Sequence, residues 1–353
     1  MRVLVAEDSS TARELLVSLF REDPGTEVAG EAVNGVQAVE LTKQLRPDLV
    51  VMDIQMPEMD GLEATKRIMI EAPTPVIIVT AAHDPRDVEM SLRAVRLGAL
   101  TLLPKPTGPS APSFDAEARR LVTLAKALSQ VAVVRRRWPT VDGVGPADRA
   151  GELVSGPVPE LGGPVQVVAV AASTGGPAAL YRLLDQLPRD TDVPVLVVQH
   201  IAEGFSQGLA AWLGSGTALP VRLAAHGEPL SGGVVYVAPC RFHLQVGPDR
   251  SVVLSDAPPV GGFRPSATML FRSVAAVYGR FAAGVVLTGM GQDGCEGIAD
   301  LRTAGGRVLA QDEATSVVFG MPGAVVSAGL ADVVAPVGRL AACLSTMVSR
   351  RQR

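Results

Sequence analysis

Three side chains capable of acyl-transfer chemistry stand just beyond apolar runs. Ser173 lies in Ala171-Ala172-Ser173-Thr174-Gly175-Gly176-Pro177, between the apolar residues 165–170 and the helical pattern 178–184. Two glycines permit a sharp turn, and a proline suits the first turn of a helix, where its missing N–H would be unpaired anyway. The stretch therefore reads as strand, tight turn and helix, with a hydroxyl near the positive helix end. Three roles are open to it: a nucleophile whose oxyanion finds backbone N–H groups, a phosphate cradle, or a plain helix cap.

Serine catalysis needs a base within reach and a group that orients the base. His200 ends the apolar run 195–199, and Asp293 lies in Gly289-Met290-Gly291-Gln292-Asp293-Gly294 after the run 284–288. Asp293 alone could be a helix cap. Three strand ends that yield Ser, His and Asp together point instead to catalysis. Of the other histidines, His83 and His226 read as surface or packing residues, and His243 as a second candidate for the site wall.

A different chemistry is encoded in the first 130 residues. Glu7 and Asp8 follow the run 3–6, Asp53 follows 49–52, Thr80 ends 76–80, and Lys105 follows 101–103. Clustered carboxylates repel unless a cation neutralises them, and an all-oxygen ligand set favours Mg²⁺. One carboxylate could then attack a phosphoryl donor, giving an acyl phosphate that the lysine and threonine contact.

The elements that must position these groups follow from hydrophobic periodicity. Runs at 3–6, 28–32, 49–52, 76–79 and 101–103 alternate with helical patterns, as do runs at 165–172, 193–199, 234–238, 284–288 and 307–310. Alternation of this kind predicts two doubly wound α/β domains with mostly parallel sheets. The segments 243–246 and 251–254, separated by Gly247-Pro248-Asp249-Arg250, predict a β-hairpin excursion appended to the second sheet. In the first helix Ala12, Leu15, Leu16, Leu19 and Phe20 form one apolar stripe, which is core. A helix over 114–130 should close the first domain. The Pro/Gly-rich stretch from 131 to 163, with Arg135-Arg136-Arg137, reads as a linker.

With 353 residues, 47% of them hydrophobic, the chain can bury two cores, and its formal net charge of -4 argues against a general nucleic-acid binder. Cys240, Cys295 and Cys343 are too widely spaced for a zinc site or a disulfide framework. The acidic start and the lack of a long apolar run predict neither signal peptide nor membrane insertion, hence a cytoplasmic location.

Glu7-Asp8, the stretch Met52 to Gly61, Thr80 and Pro104-Lys105-Pro106 resemble a response-regulator receiver domain, of flavodoxin-like fold. The resemblance implies Asp53 as phosphoacceptor, Mg²⁺ held by Glu7, Asp8, Asp53 and the carbonyl of Gln55, and Thr80 and Lys105 as phosphoryl sensors. Leu102 stands where that family commonly has an aromatic residue, so an aromatic swing coupled to Thr80 is not expected.

The second half is similar to the protein-glutamate methylesterases of the CheB family, of Rossmann-like fold. The matching stretches are Ala172 to Pro177, Val198-Gln199-His200, Val235 to Pro239, Arg264-Pro265-Ser266, Leu287 to Gly294, Gln311-Asp312-Glu313 and Gly320-Met321-Pro322. The resemblance implies Ser173 as nucleophile, His200 as base, Asp293 as its orienting group, and Thr174 and Met290 at the oxyanion site. Thr268 replaces the family's usual aspartate, which bears on substrate contacts more than on chemistry.

Together these imply a receiver (1–130), a linker (131–163) and a catalytic domain (164–350). The implied function is phosphorylation-regulated hydrolysis of glutamyl methyl esters on chemoreceptors, releasing methanol, with no cofactor for the esterase. A chemotaxis histidine kinase would be the phosphodonor, and the chain would act as a monomer. The unphosphorylated receiver would block the triad edge. Hydrolysis of receptor glutamine amides is a second reading. A nucleotide-binding module is a third, although no Gly-Lys-Ser/Thr follows the glycines.

Overall fold

The computed structural model describes residues 1–81, 85–131, 133 and 165–348. The arginines 135–137, the stretch up to 164 and His83 lie outside the described residues. The chain divides into two compact units, with the boundary between residues 147 and 148.

The first unit runs β1 (Arg2–Ala6), α1 (Ser10–Glu22), β2 (Glu27–Ala32), α2 (Gly35–Leu45), β3 (Leu49–Met52), α3 (Gly61–Glu71), β4 (Val76–Thr80), α4 (Pro85–Leu97), β5 (Thr101–Pro104) and α5 (Phe114–Leu128). Its sheet is wholly parallel, in the order β2-β1-β3-β4-β5. Strands β3 and β4 are buried at every residue, as helices on both faces require, and this explains their unbroken apolar runs. Short polar side chains start the helices: Asn34 accepts from Gln37 N at 2.8 Å ahead of α2, and Asp60 from Glu63 N at 2.8 Å ahead of α3.

The second unit runs β6 (Val167–Ala172), α6 (Gly176–Asp185), β7 (Val195–Gln199), α7 (Phe205–Gly216), β8 (Val221–Leu223), β9 (Val235–Val237), β10 (His243–Val246) and β11 (Val252–Ser255). It continues with α8 (Ala267–Tyr278), β12 (Ala282–Val286), α9 (Cys295–Thr303), β13 (Arg307–Gln311), α10 (Met321–Ser327), β14 (Val333–Ala335) and α11 (Val337–Val348). Seven strands form one parallel sheet in the order β14-β13-β12-β6-β7-β9-β8. Alternate residues of β6, namely Val167, Ala169 and Ala171, share a core with Leu270, Phe271 and Val274 of α8 and with Ile298 of α9.

The hairpin departs from expectation. β10 and β11 form their own two-stranded antiparallel sheet rather than joining the larger one. Leu244, Val246 and Val252 enter the same core as α8, so the hairpin is held by its apolar face and needs no strand partner. Two strands escaped the pattern because each is a three-residue edge strand without an unbroken buried run: β8 has no buried residue and β14 carries the exposed Val334, whereas β9, equally short, is buried throughout. Strand β12 ends at Val286, two residues early; beyond it the Thr288 N–H donates to Gln311 Oε1 at 2.8 Å and its hydroxyl to Thr174 O at 2.9 Å, while its carbonyl accepts from Ser173 N at 3.0 Å. Among the described residues, no helix is long and apolar enough to cross a membrane.

Candidate functional site

The strand order reverses at β1 in the smaller sheet and at β6 in the larger one, and the chemistry-bearing residues gather there, at the carboxyl ends of the strands. In the larger sheet β6 lies between β12 and β7, with Ala172 beside Gln199 and Ala171 beside both Val286 and Val198. Ser173 and His200 are thus the next residues along two neighbouring strands, which run about 4.8 Å apart. Both are buried, at 7% and 9% exposure. The Gln199 carboxamide ties the two together, donating to Ser173 O at 2.7 Å and to His200 O at 2.9 Å.

Gly175 follows at φ 77, a left-handed conformation that a side chain would strain, and Pro177 occupies the first turn of α6. The turn is further constrained by Gly289, because a Cβ there would lie 2.7 Å from Ser173 Cβ and 3.0 Å from Ser173 N. The Gly289 backbone thereby passes directly against Ser173; Met290, the next residue, is half-buried and Thr174 is buried.

His200 Nε2 lies 2.9 Å from Asp293 Oδ2. A carboxylate only accepts, so the neutral imidazole carries its proton on Nε2 and presents Nδ1 as the basic nitrogen. That Nδ1 is buried and has no hydrogen-bond partner among the described residues. Phe263 stacks on the imidazole, with ring centroids 4.1 Å apart and planes 12° from parallel.

Asp293 is held more tightly than any other group of the site. Besides His200, Ala267 N donates to Oδ2 at 2.7 Å; Ser266 Oγ at 2.8 Å, Thr268 Oγ1 at 2.9 Å and Thr268 N at 3.2 Å donate to Oδ1. The donors come from the start of α8, where exposed N–H groups and the helix dipole favour an anion. Burial alone would raise the carboxyl pKa. The hydrogen bond and charge of His200, with the Ala267 N–H and the Ser266 hydroxyl, outweigh it and hold the pKa at about 2.

Thr268 has a second bond, accepting from Gly294 N at 2.9 Å. Its expected bearing on substrate contacts is therefore not what the geometry displays: the side chain is buried and spent on Asp293 and Gly294. His243 likewise supports rather than lines the site. It is fully buried, its Nε2 donates to Pro258 O at 3.1 Å and its Nδ1 accepts from Ser266 N at 3.1 Å. His226 is exposed and accepts from Leu254 N at 3.1 Å.

No motif or period in the sequence marks a role for Gln199, Phe263, Ser266 or Ala267. Only Gln199 carried a local signal, a carboxamide closing an apolar strand beside His200.

In the first unit the smaller sheet places β1 between β2 and β3. Carboxylate oxygens of Glu7, Asp8 and Asp53 all lie within 4.8 Å of one another, an oxygen set whose size and hardness fit Mg²⁺. Lys105 Nζ bridges two of them, 2.8 Å from Glu7 Oε2 and 2.9 Å from Asp53 Oδ2. Burial pushes the pKa of Glu7 and of Asp53 upward despite Lys105. Burial also disfavours charge on Lys105, but the two carboxylates overcome it and its pKa lies above the ordinary value. Lys105 is delivered by strand pairing, with Thr80 opposite Pro104 and Lys105 N donating to Thr80 O at 2.9 Å. Gln55 stands two residues past Asp53 with an exposed side chain, and Leu102 is packed in β5, opposite Ile78.

Residues 168–344 match the family model for CheB methylesterase, and residues 3–111 match that for the response regulator receiver domain. The protein-glutamate methylesterase/protein-glutamine glutaminase 4 of Myxococcus xanthus is 55% identical over 350 residues, spanning 98% of this chain and 96% of that one. The chain belongs to the CheB methylesterase family. A second relative, protein-glutamate methylesterase/protein-glutamine glutaminase 3 of Anaeromyxobacter dehalogenans, is 52% identical and covers 95% of each chain. The crystal structure of the Thermotoga maritima CheB methylesterase catalytic domain aligns with 52% of this chain and 99% of its own, at 36% identity and a TM-score of 0.51. The chain thus joins a receiver domain to a hydrolase domain, both α/β.

Proposed function

We propose that this chain hydrolyses glutamyl methyl esters on chemoreceptors, with Ser173 as nucleophile, His200 as base and Asp293 as the group that orients the base. One observation supports the reading: Asp293 binds His200 through Nε2, which leaves the basic Nδ1 for the proton of Ser173, the next residue along the neighbouring strand. Ser173 gives its proton to His200 Nδ1 and attacks the ester carbonyl. The imidazolium, stabilised by Asp293, returns that proton to the departing methoxide, and methanol leaves. Water then repeats the cycle on the acyl-serine, releasing free glutamate. N–H groups at Thr174 and Met290 serve the oxyanion; one such donor is typically worth about 10²-fold to 10³-fold in turnover. No cofactor takes part in this reaction.

The same acyl-enzyme is reached from a glutamine amide with loss of ammonia. The printed names of the two relatives above include protein-glutamine glutaminase, which supports this side activity.

Residues 1–130 form the regulatory domain in this reading, 131–163 the linker and 164–350 the catalytic domain. A chemotaxis histidine kinase phosphorylates Asp53. Glu7, Asp8, Asp53 and the carbonyl of Gln55 would hold Mg²⁺, which supplies charge neutralisation for the incoming phosphoryl group. Lys105 and Thr80 contact the acyl phosphate, whose added charge of about -1.5 to -2 releases the hydrolase from inhibition. The protein works as a cytoplasmic monomer. Methanol release from receptor-bearing membranes, with and without a small phosphodonor, tests the reading. Ser173→Ala and His200→Gln should abolish release. Release by Ser173→Ala at the wild-type rate would refute it.

A further inference from the structure

Among the described residues, the His200 imidazole is tethered by one hydrogen bond, at Nε2. That bond fixes the distance to Asp293 but not the tilt of the ring about it, and the tilt decides where Nδ1 points. Among the described residues, one further restraint has the right geometry: the Phe263 ring, lying 4.1 Å from the imidazole centroid with its plane 12° from parallel.

Phe263 is itself held from three directions. Phe263 N donates to Val260 O at 3.0 Å and Val260 N to Phe263 O at 3.1 Å, closing a narrow turn over Gly261 and Gly262. The next residue, Arg264, donates from Nη1 to Asp256 O at 2.8 Å and to Ala257 O at 3.2 Å. Two residues further, Ser266 is anchored to His243 and to Asp293, and Ala267 and Thr268 add their donors to the same carboxylate. One segment, 263–268, therefore grips both members of the base pair: its phenyl ring covers the face of the histidine, and its last three residues cradle the aspartate.

We propose that Phe263 is a positioning residue for His200, holding the imidazole at the tilt that directs Nδ1 to Ser173. A flat ring is needed because the restraint acts on a flat face: an aliphatic side chain of similar bulk leaves the imidazole free to rock. Phe263 is half-buried, and its ring also screens one face of the imidazole from water. The inference rests on the proposed role of His200 as base.

The test uses the intact chain and methanol release from receptor-bearing membranes, with rates taken across substrate concentration for Phe263→Ala, Phe263→Leu, Phe263→Tyr and the control His200→Gln. Misplacing a catalytic group can cost up to about 10²-fold. We expect kcat of Phe263→Ala to fall at least about tenfold with KM within about twofold. Phe263→Leu should not recover the loss and Phe263→Tyr should recover most of it. In ¹⁵N-histidine spectra of the folded variants, the His200 ring signals should move in Phe263→Ala and stay near the wild-type positions in Phe263→Tyr. Where Phe263→Ala is too unstable to assay, the contrast between Phe263→Leu and Phe263→Tyr carries the test. A wild-type kcat for Phe263→Ala, a full recovery by Phe263→Leu, a loss confined to KM, or unmoved His200 signals would overturn the inference while leaving the triad intact. Activity surviving in His200→Gln would overturn the triad reading instead.

Discussion

Replacing Asp293 with asparagine separates what the carboxylate does for stability from what it does for chemistry. The carboxylate accepts five hydrogen bonds, two at Oδ2 from His200 and Ala267 and three at Oδ1 from Ser266 and Thr268. An asparagine offers one accepting oxygen and one donating NH₂. With the NH₂ at the Oδ2 position, it opposes the Ala267 N–H, which cannot reverse, and it forces His200 to accept at Nε2 and protonate Nδ1, the wrong tautomer for a base. With the NH₂ at the Oδ1 position, it opposes the Thr268 N–H, and the Thr268 hydroxyl must turn while still accepting from Gly294 N. Each buried N–H left without an acceptor costs about 1 to 3 kcal/mol.

The pKa gives a second estimate: at ~1.4 kcal/mol per tenfold step, a depression from 3.8 to about 2 corresponds to roughly 2 kcal/mol. The sign follows from the unfolded chain, which holds this proton more tightly than the folded one. The contribution is complete above about pH 4 and disappears as pH falls through about 2. Urea unfolding should therefore find Asp293→Asn less stable by about 2 kcal/mol at neutral pH, with the difference shrinking toward pH 2. A tautomer error behind an intact triad costs about 10⁴-fold in turnover, and methanol release should fall by that order at every pH. Near-wild-type release, or equal stability of the two proteins at pH 7, would refute the argument.

Three other substitutions have definite outcomes. A Cβ at Gly176 would overlap Gln199 Oε1 and reach within 2.9 Å of Ala172 Cβ; Gly176→Ala should cost about 1 to 3 kcal/mol and lower turnover by displacing the carboxamide that holds Ser173 and His200, read by unfolding and by methanol release. In the receiver, a Cβ at Gly61 would overlap the Asp53 carbonyl oxygen; Gly61→Ala should destabilise that domain by about 1 to 3 kcal/mol and slow labelling from a radioactive phosphodonor. Asp53→Asn should abolish acid-labile labelling and the stimulation of methanol release by that donor, while leaving the unstimulated rate unchanged.

The sequence by itself determined the two α/β sheets and the strand ends on which chemistry would fall. Unbroken apolar runs such as 49–52 and 167–172 can be buried only between helix layers, so the residue that follows each run emerges at the carboxyl edge of the sheet. Ser173, His200, Asp53 and Lys105 were legible for that reason. Short edge strands such as Val221–Leu223 were not, because three residues, none of them buried, carry too little of a period.

The wiring between those ends belongs to the packed fold. That Asp293 meets His200 at Nε2 rather than Nδ1, that Thr268 is spent on Asp293, and that Phe263 lies flat on the imidazole all depend on where α8 begins relative to the sheet edge. These contacts join residues 25 to 93 positions apart, and no local pattern encodes them. A strand end specifies that a side chain is presented; the atom it touches is set by the packing of an element elsewhere in the chain.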